Sequence, residues 1–143
     1  KIWHSKHLPP HHTKIPELMY DLGVELQEKL KNAKPLRLMA KNGKKHLREF
    51  NNLLYIAARI HHKIVWIHPF SEGNGRTARL AANLILERYG LCAISTKNER
   101  ENKDTYFNAL QQIDDYGDYE PLIEMITDGL ITRYEEIGGV KSQ

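Results

Sequence analysis

Twelve consecutive residues, His68 to Arg79 (HPFSEGNGRTAR), hold the side chains best suited to chemistry in this 143-residue chain. Gly73 and Gly75 flank Asn74 where a loop gives way to a helical pattern. A helix start presents unpaired N–H groups and a partial positive charge, which makes an anion site. Glycines there let phosphate oxygens approach the main chain closely. Arg76 and Arg79 lie three residues apart, and Asn83 and Glu87 follow at steps of four, so the four share one polar helix face. Two guanidinium forks above the helix start would grip further phosphate oxygens. Glu72 offers the kind of hard oxygen that Mg²⁺ takes beside phosphates and water. His68 exchanges a proton near neutral pH. Taken singly, a GNG turn, a lone histidine or an arginine pair on a wet face has an ordinary structural explanation. The GxxxxGK[ST] phosphate loop is absent. Cradle, carboxylate and base together in a loop-to-helix setting predict nucleotide-dependent group transfer.

The elements that must position this stretch read as helices almost throughout. Ile15, Leu18, Met19, Leu22, Leu26 and Leu30 recur at helical spacing, with Thr13 as the expected N-cap and Pro16 in the first turn. Residues 31–45 read as a basic loop broken by Pro35 and Gly43. A second helix is expected from His46 to about Trp66 on Leu47, Phe50, Leu54, Ala57 and Ile64, and Pro69 stops it. A third is expected from near Gly75 to Tyr89, with Leu80, Ala81, Leu84 and Ile85 as its apolar stripe and Gly90 past its end. Tyr106, Leu110 and Ile113 mark a fourth; Tyr119, Leu122, Ile123, Ile126, Leu130 and Tyr134 mark a fifth, ended by Gly138 and Gly139. The first ten residues lack a helical period and read as an extended strand. The fold class is all-α, in one domain over residues 1–143.

Composition bounds the rest. Hydrophobic residues are 41% and charged residues 27%, a globular balance. No apolar run approaches the roughly 20 residues of a membrane span, no signal peptide opens the chain, and a single cysteine, Cys92, excludes an internal disulfide framework. A cytoplasmic setting is expected. Lys1 rather than Met at the first position reads as a piece of a longer protein. The net charge of +3 conceals an asymmetry: residues 1–98 carry 17 Lys/Arg against 7 Asp/Glu, and residues 99–143 carry 4 against 11. The basic part suits a polyanion.

HPFSEGNGRTAR resembles the signature of the Fic (filamentation induced by cAMP) family, HxFx(D/E)GNGRxxR, at every defining position. The upstream HLPPHHTKIPELMYDL, the approach AARIHHKIVWIHPF and the following RLAANLILERYGL are similar to that family as well, and cover most of residues 7–92. The resemblance implies a compact helical bundle with the motif loop between two central helices. It further implies an enzyme that moves AMP from ATP, with Mg²⁺, onto a Tyr, Thr or Ser hydroxyl of a target protein. His68 matches the catalytic base and Glu72 the Mg²⁺ ligand. Gly73, Asn74 and Gly75 match the anion-hole turn, with Asn74 at the α-phosphate; Arg76 matches a β-phosphate contact and Arg79 the γ-phosphate contact. Phe70 matches a residue anchoring the loop in the core. The intact Gly75 favours AMP transfer over phosphorylation; removal of AMP and other phosphate-ester transfers stand as alternatives within the family.

Two departures qualify the implied partners. Family members dock targets on a flap before the H-x-PP segment, and residues 1–12 hold at most a remnant of it. The inhibitory pattern (S/T)xxxE(G/N) has no strict copy here: Thr132 to Glu136 keeps the spacing but is followed by Ile137. An inhibitory helix is therefore expected upstream in the full chain or on an antitoxin-like partner protein, and the family resemblance also allows a homodimer. Among competing readings, His4, His7, His11 and His12 cluster, but adjacent histidines on a helix such as His61 and His62 point about 100° apart and do not share an ion. Lys41, Lys44, Lys45 and Arg48 form a basic patch that would suit nucleic acid, yet no helix-turn-helix or aromatic platform accompanies it. No membrane partner is expected.

Overall fold

The computed structural model describes residues 7–36, 43–94 and 103–138. It consists of a 3₁₀ turn over His12–Lys14 and five helices: α1 Ile15–Leu30, α2 Gly43–Ile67, α3 Asn74–Arg88, α4 Lys103–Tyr116 and α5 Glu120–Gly138. The described residues contain no strand, and the expected N-terminal strand falls largely on residues 1–6, outside them. None of the described helices is long and apolar enough to cross a membrane.

The start of α1 differs from the expectation in its cap. Thr13 lies inside the 3₁₀ turn, and His11 supplies the capping acceptor, its Nδ1 taking the Thr13 N–H at 3.3 Å. The extra turn, closed by Lys14 N–H to the His11 carbonyl at 2.9 Å, moves the cap two residues back. Pro16 then occupies the first turn, where its missing N–H costs nothing.

Helix α2 is the axis of the molecule. It begins three residues before His46, and its second half is buried on nearly all sides: Ile56, Ala57, Ala58, Ile60, Ile64, Val65 and Ile67 belong to the core, whereas Leu47 near its start is exposed. The alanines let neighbouring helices approach closely. Arg59 ties α1 and the start of α5 to this axis. Its Nε and Nη2 donate to the two carboxylate oxygens of Glu25 at 2.7 and 3.0 Å, and Nη1 donates to the Tyr119 hydroxyl at 2.7 Å. Such a bidentate pair is among the stronger polar contacts.

Helix α3 buries Ala78, Ala82, Ile85 and Leu86. Leu80 and Leu84, expected on its apolar stripe, are 61% and 57% exposed. At 100° per residue they stand almost opposite Ala78 and Ala82, so the contact side is built from these alanines with Ile85 and Leu86. The helix ends as a Schellman motif: Leu91 N–H reaches the Leu86 carbonyl at 2.8 Å, Gly90 N–H the Glu87 carbonyl at 3.3 Å, and Gly90 has φ 100°. Asn83 then secures the following segment, accepting from Ile94 N–H at 2.9 Å and donating to its carbonyl at 3.3 Å. Helices α4 and α5 close the core with Tyr106, Ala109, Leu110, Ile113, Leu122, Ile126 and Leu130. Their apolar stripes match the expected ones except at Tyr134, which is exposed.

Candidate active site

The motif loop begins where α2 runs out of partners. His68 N–H still reaches the Ile64 carbonyl at 2.9 Å. Pro69 has no N–H to give, and Phe70 N–H turns away from the helix to Asn74 Oδ1 at 2.9 Å. His68 takes the left-handed turn that ends the helix, at φ 57°, the one described non-glycine residue with positive φ. Histidine tolerates this region better than most residues, but the conformation still costs about 1–3 kcal/mol and persists only where its surroundings hold it.

Asn74 is the holder. Only 6% exposed, it accepts from Phe70 N–H and donates Nδ2 to the Phe70 carbonyl at 2.8 Å. The same Nδ2 lies 3.1 Å from His68 Nδ1 and 3.4 Å from Nε2. Both ring nitrogens of imidazolium are donors, so an amide N–H set against them favours the neutral ring. Burial acts in the same direction and is the largest influence holding the His68 pKa below its ordinary value; the nearby His7 adds to it. The phenyl ring of Phe70, expected to anchor the loop in the core, is instead 51% exposed. The loop is anchored through the Phe70 backbone by Asn74, so the Asn74 side chain serves the loop and His68.

Gly73 ends the loop in the left-handed region, φ 83° and ψ 13°, as the N-cap of α3. Without a side-chain cap there, the first N–H groups of α3 are open to an anion. Both arginines fold back over the glycines: a Cβ on Gly73 would meet Arg76 Nη2 at 3.0 Å, and one on Gly75 would meet Arg79 Nη1 at 3.3 Å. Glycine thus provides both the turn and the space under the guanidinium groups.

His68, Gly73, Asn74, Gly75, Arg76 and Arg79 line one cleft of about 240 Å³. Glu72, the seventh residue expected at the site, is exposed on the loop beside Gly73 and does not line this cleft. Asn83 and Glu87, on the same helix face as the arginines, do not line it either; Asn83 is spent on Ile94. The opposite wall comes from α4, as Tyr106, Phe107 and Leu110, and the rim from His7 and Pro9. Of these, Tyr106 carries a signal in the sequence as an aromatic in a helix otherwise read as core. Phe107 and His7 are brought in by the fold. The cleft therefore combines an imidazole held towards its neutral form, a helix N-terminus and two cations with an apolar wall.

Behind it, buried His61 meets the Tyr106 hydroxyl at 2.7 Å through Nε2. Its pKa is pushed down to about 3, first by burial and then by the positive charges of Arg79 and His62. The His61 ring is thereby committed to α4. His62 points elsewhere, to Asp114 at 2.8 Å, and burial holds its pKa low despite that carboxylate. No group of three or more metal-ligating side chains occurs among the described residues. Of the basic patch, Lys44 and Arg48 are exposed on α2, while Lys41 and the side chain of Lys45 lie outside the described residues. Thr132 and Glu136 are exposed near the end of α5, with Glu136 Oε1 3.7 Å from Arg133 Nη1.

Comparison with known proteins supports the same region. Residues 4–86 match the Fic/DOC family. A protein adenylyltransferase Fic of Nematostella vectensis is 35% identical over 126 residues, 88% of this chain and 25% of that protein. Proteins of the same name from Aedes aegypti and Drosophila yakuba are 42% and 40% identical over 72 residues, half of this chain and 14% of each relative. The chain thus spans between about a seventh and a quarter of the length of these curated relatives.

Proposed function

The chain belongs to the Fic/DOC family, and from that premise we propose that it transfers AMP from ATP to a hydroxyl group of a protein. The observation that carries this reading is the shared cleft: the His68 imidazole and an uncapped helix N-terminus under two guanidinium groups face the same space. The names of the relatives, protein adenylyltransferase, support the same reaction class.

In this mechanism the polyphosphate of ATP lies against the Gly73–Gly75 turn, with Arg76 and Arg79 offsetting its charge. Fixed donors and cations of this kind stabilise the transition state without having to reorganise. His68 takes the proton from the acceptor hydroxyl, whose oxygen bonds to the α-phosphorus as the bond from that phosphorus to the bridging oxygen breaks. The products are a protein–AMP ester and pyrophosphate. A low His68 pKa keeps the base unprotonated at neutral pH. Asn74 keeps the ring at the cleft and holds the loop that carries it.

Glu72 is the residue that would hold Mg²⁺. A single exposed carboxylate, with no three-ligand cluster among the described residues, fits an ion that takes one or two protein oxygens and completes its shell with phosphates and water. When bound, the ion would neutralise phosphate charge. The acceptor is a protein segment with a Tyr, Thr or Ser hydroxyl.

The test is incubation with α-labelled ATP, Mg²⁺ and cell lysate, followed by mass spectrometry of labelled proteins. Transfer of an AMP mass is expected from the wild type, and a loss on the order of 10²–10⁴-fold in His68→Ala, the usual worth of a general base. Equal labelling by the two proteins would remove His68 from the mechanism, and a phosphate mass in place of AMP would change the reaction.

A further inference from the structure

The last turn of α2 leaves carbonyls without their regular helical partners, and the one at Trp66 has an unusual owner. In an α-helix the carbonyl of residue i accepts the N–H of residue i+4, so Trp66 would be served by Phe70. That N–H goes to Asn74 Oδ1 instead. The Trp66 carbonyl is taken by His7 Nε2 at 2.8 Å, from 59 residues away. A carbonyl only accepts, so Nε2 carries the proton. The His7 ring also stacks on the Trp66 indole, centroids 5.0 Å apart and planes 29° apart, and it lines the same cleft as His68.

Two acceptors, Trp66 O and Asn74 Oδ1, therefore stand as alternatives for the single Phe70 N–H. If Trp66 wins, an irregular turn forms across Pro69, whose missing N–H breaks the regular ladder, Asn74 loses an anchor, and the left-handed turn at His68 is less firmly held. A carbonyl oxygen can accept two bonds, but with the His7 donor already on it and the His7 ring stacked alongside, the Trp66 carbonyl gains less from the Phe70 N–H than Asn74 Oδ1 does. We propose that His7 is a positioning residue: by occupying the Trp66 carbonyl it keeps the Phe70 N–H on Asn74 and so keeps His68 in its left-handed turn at the cleft. The link to catalysis rests on reading His68 as the base; the link to loop geometry does not.

Three variants separate the roles of the ring and its N–H. His7→Phe keeps a flat ring against Trp66 and removes the donor. His7→Gln keeps a donor and removes the ring, and His7→Ala removes both. Amide and imidazole NMR signals of the ligand-free 143-residue chain report the loop directly. We expect the Phe70 amide, Asn74 side-chain amide and His68 ring signals to move in His7→Ala and His7→Phe, and to return towards the wild-type positions in His7→Gln. In the labelling assay the first two variants should lose about tenfold in kcat with KM for ATP changed by less than about twofold, since misplacing one reacting group acts on the chemical step. His7→Gln should recover most of that loss. Unmoved loop signals in a folded His7→Phe, or a His7→Gln as perturbed as His7→Phe, would overturn the proposal. If the wild type labels nothing, the AMP-transfer reading fails by itself, and the NMR comparison still decides the role of His7.

Discussion

Asn74 and Phe70 exchange two hydrogen bonds across the motif loop, the amide oxygen taking the Phe70 N–H at 2.9 Å and the amide nitrogen reaching the Phe70 carbonyl at 2.8 Å. The loop is thereby closed on itself by a side chain at the first position of α3, and the spare edge of that amide touches His68. Asn74→Ala removes both bonds and the ring contact. Leaving two loop groups unpaired should cost about 1–3 kcal/mol of stability, read as a lower urea midpoint, together with loss of AMP transfer.

Asn74→Asp separates geometry from charge. The carboxylate keeps an acceptor for Phe70 N–H, loses the donor, and sets a negative charge beside the imidazole. A neighbouring anion favours the protonated ring, so the His68 pKa should rise and the acid limb of the rate profile should move to higher pH. Measuring kcat/KM from pH 5 to 8 in both proteins checks this; an unmoved limb means that His68 does not set it.

Phe70→Ala tests the anchor. The ring is half exposed, so its loss should shift stability by no more than about 0.5 kcal/mol, as for other surface changes. A core anchor would cost about 3–5 kcal/mol on truncation. Thermal unfolding of the two proteins decides between these values.

Six of the seven candidate site residues share one cleft, and that grouping was legible because it is local: the loop, the glycine turn and two arginines lie in one run, and a loop-to-helix boundary is written in the residue types themselves. What sequence spacing conceals is contact over long separations. His7 reaches Trp66 from the far end of the chain, and Phe107 arrives on α4. The helices were legible for the same local reason, since each has a periodic apolar stripe. On α3 the expected stripe holds at Ile85 and Ala81 and fails at Leu80 and Leu84, because hydropathy favours those leucines over Ala78 and Ala82. A helix pressed against α2 selects for small size, and alanine's short side chain gives that contact little weight in an apolar pattern.

Buried His61 makes stability depend on acid. Its folded pKa near 3 lies below the ordinary histidine value of about 6.5. Above that ordinary value both states are neutral and the fold keeps its full stability. Between there and 3 the unfolded chain binds a proton that the folded chain refuses, so stability falls as pH falls, by up to about 1.4 kcal/mol per unit from this group. His62, also held low by burial, acts in the same direction. Urea unfolding at pH 7 and pH 5 should show a loss that is about 2 kcal/mol smaller in His61→Gln. An equal loss in the two proteins would show that His61 is not the group responsible.

The two glycines of the turn differ in what they provide, and their alanine variants should differ accordingly. At Gly73, φ 83° places any Cβ in the left-handed region, and that Cβ would press on Arg76 Nη2 at 3.0 Å. Backbone strain of about 1–2 kcal/mol adds to displacement of a guanidinium group, so Gly73→Ala should lower both the unfolding midpoint and kcat/KM. Gly75 lies within α3, where alanine is the better helix former by about 1 kcal/mol. Its Cβ would touch only Arg79 Nη1, at 3.3 Å, the mobile end of a long side chain. Gly75→Ala should therefore leave stability unchanged or raised while weakening ATP, because the added methyl stands where phosphate oxygens would meet the main chain. Isothermal titration with ATP beside thermal unfolding distinguishes the two variants. Equal ATP affinity in Gly75→Ala and wild type would mean that the triphosphate does not lie against this turn, and the anion-site reading of the helix start would fall with it.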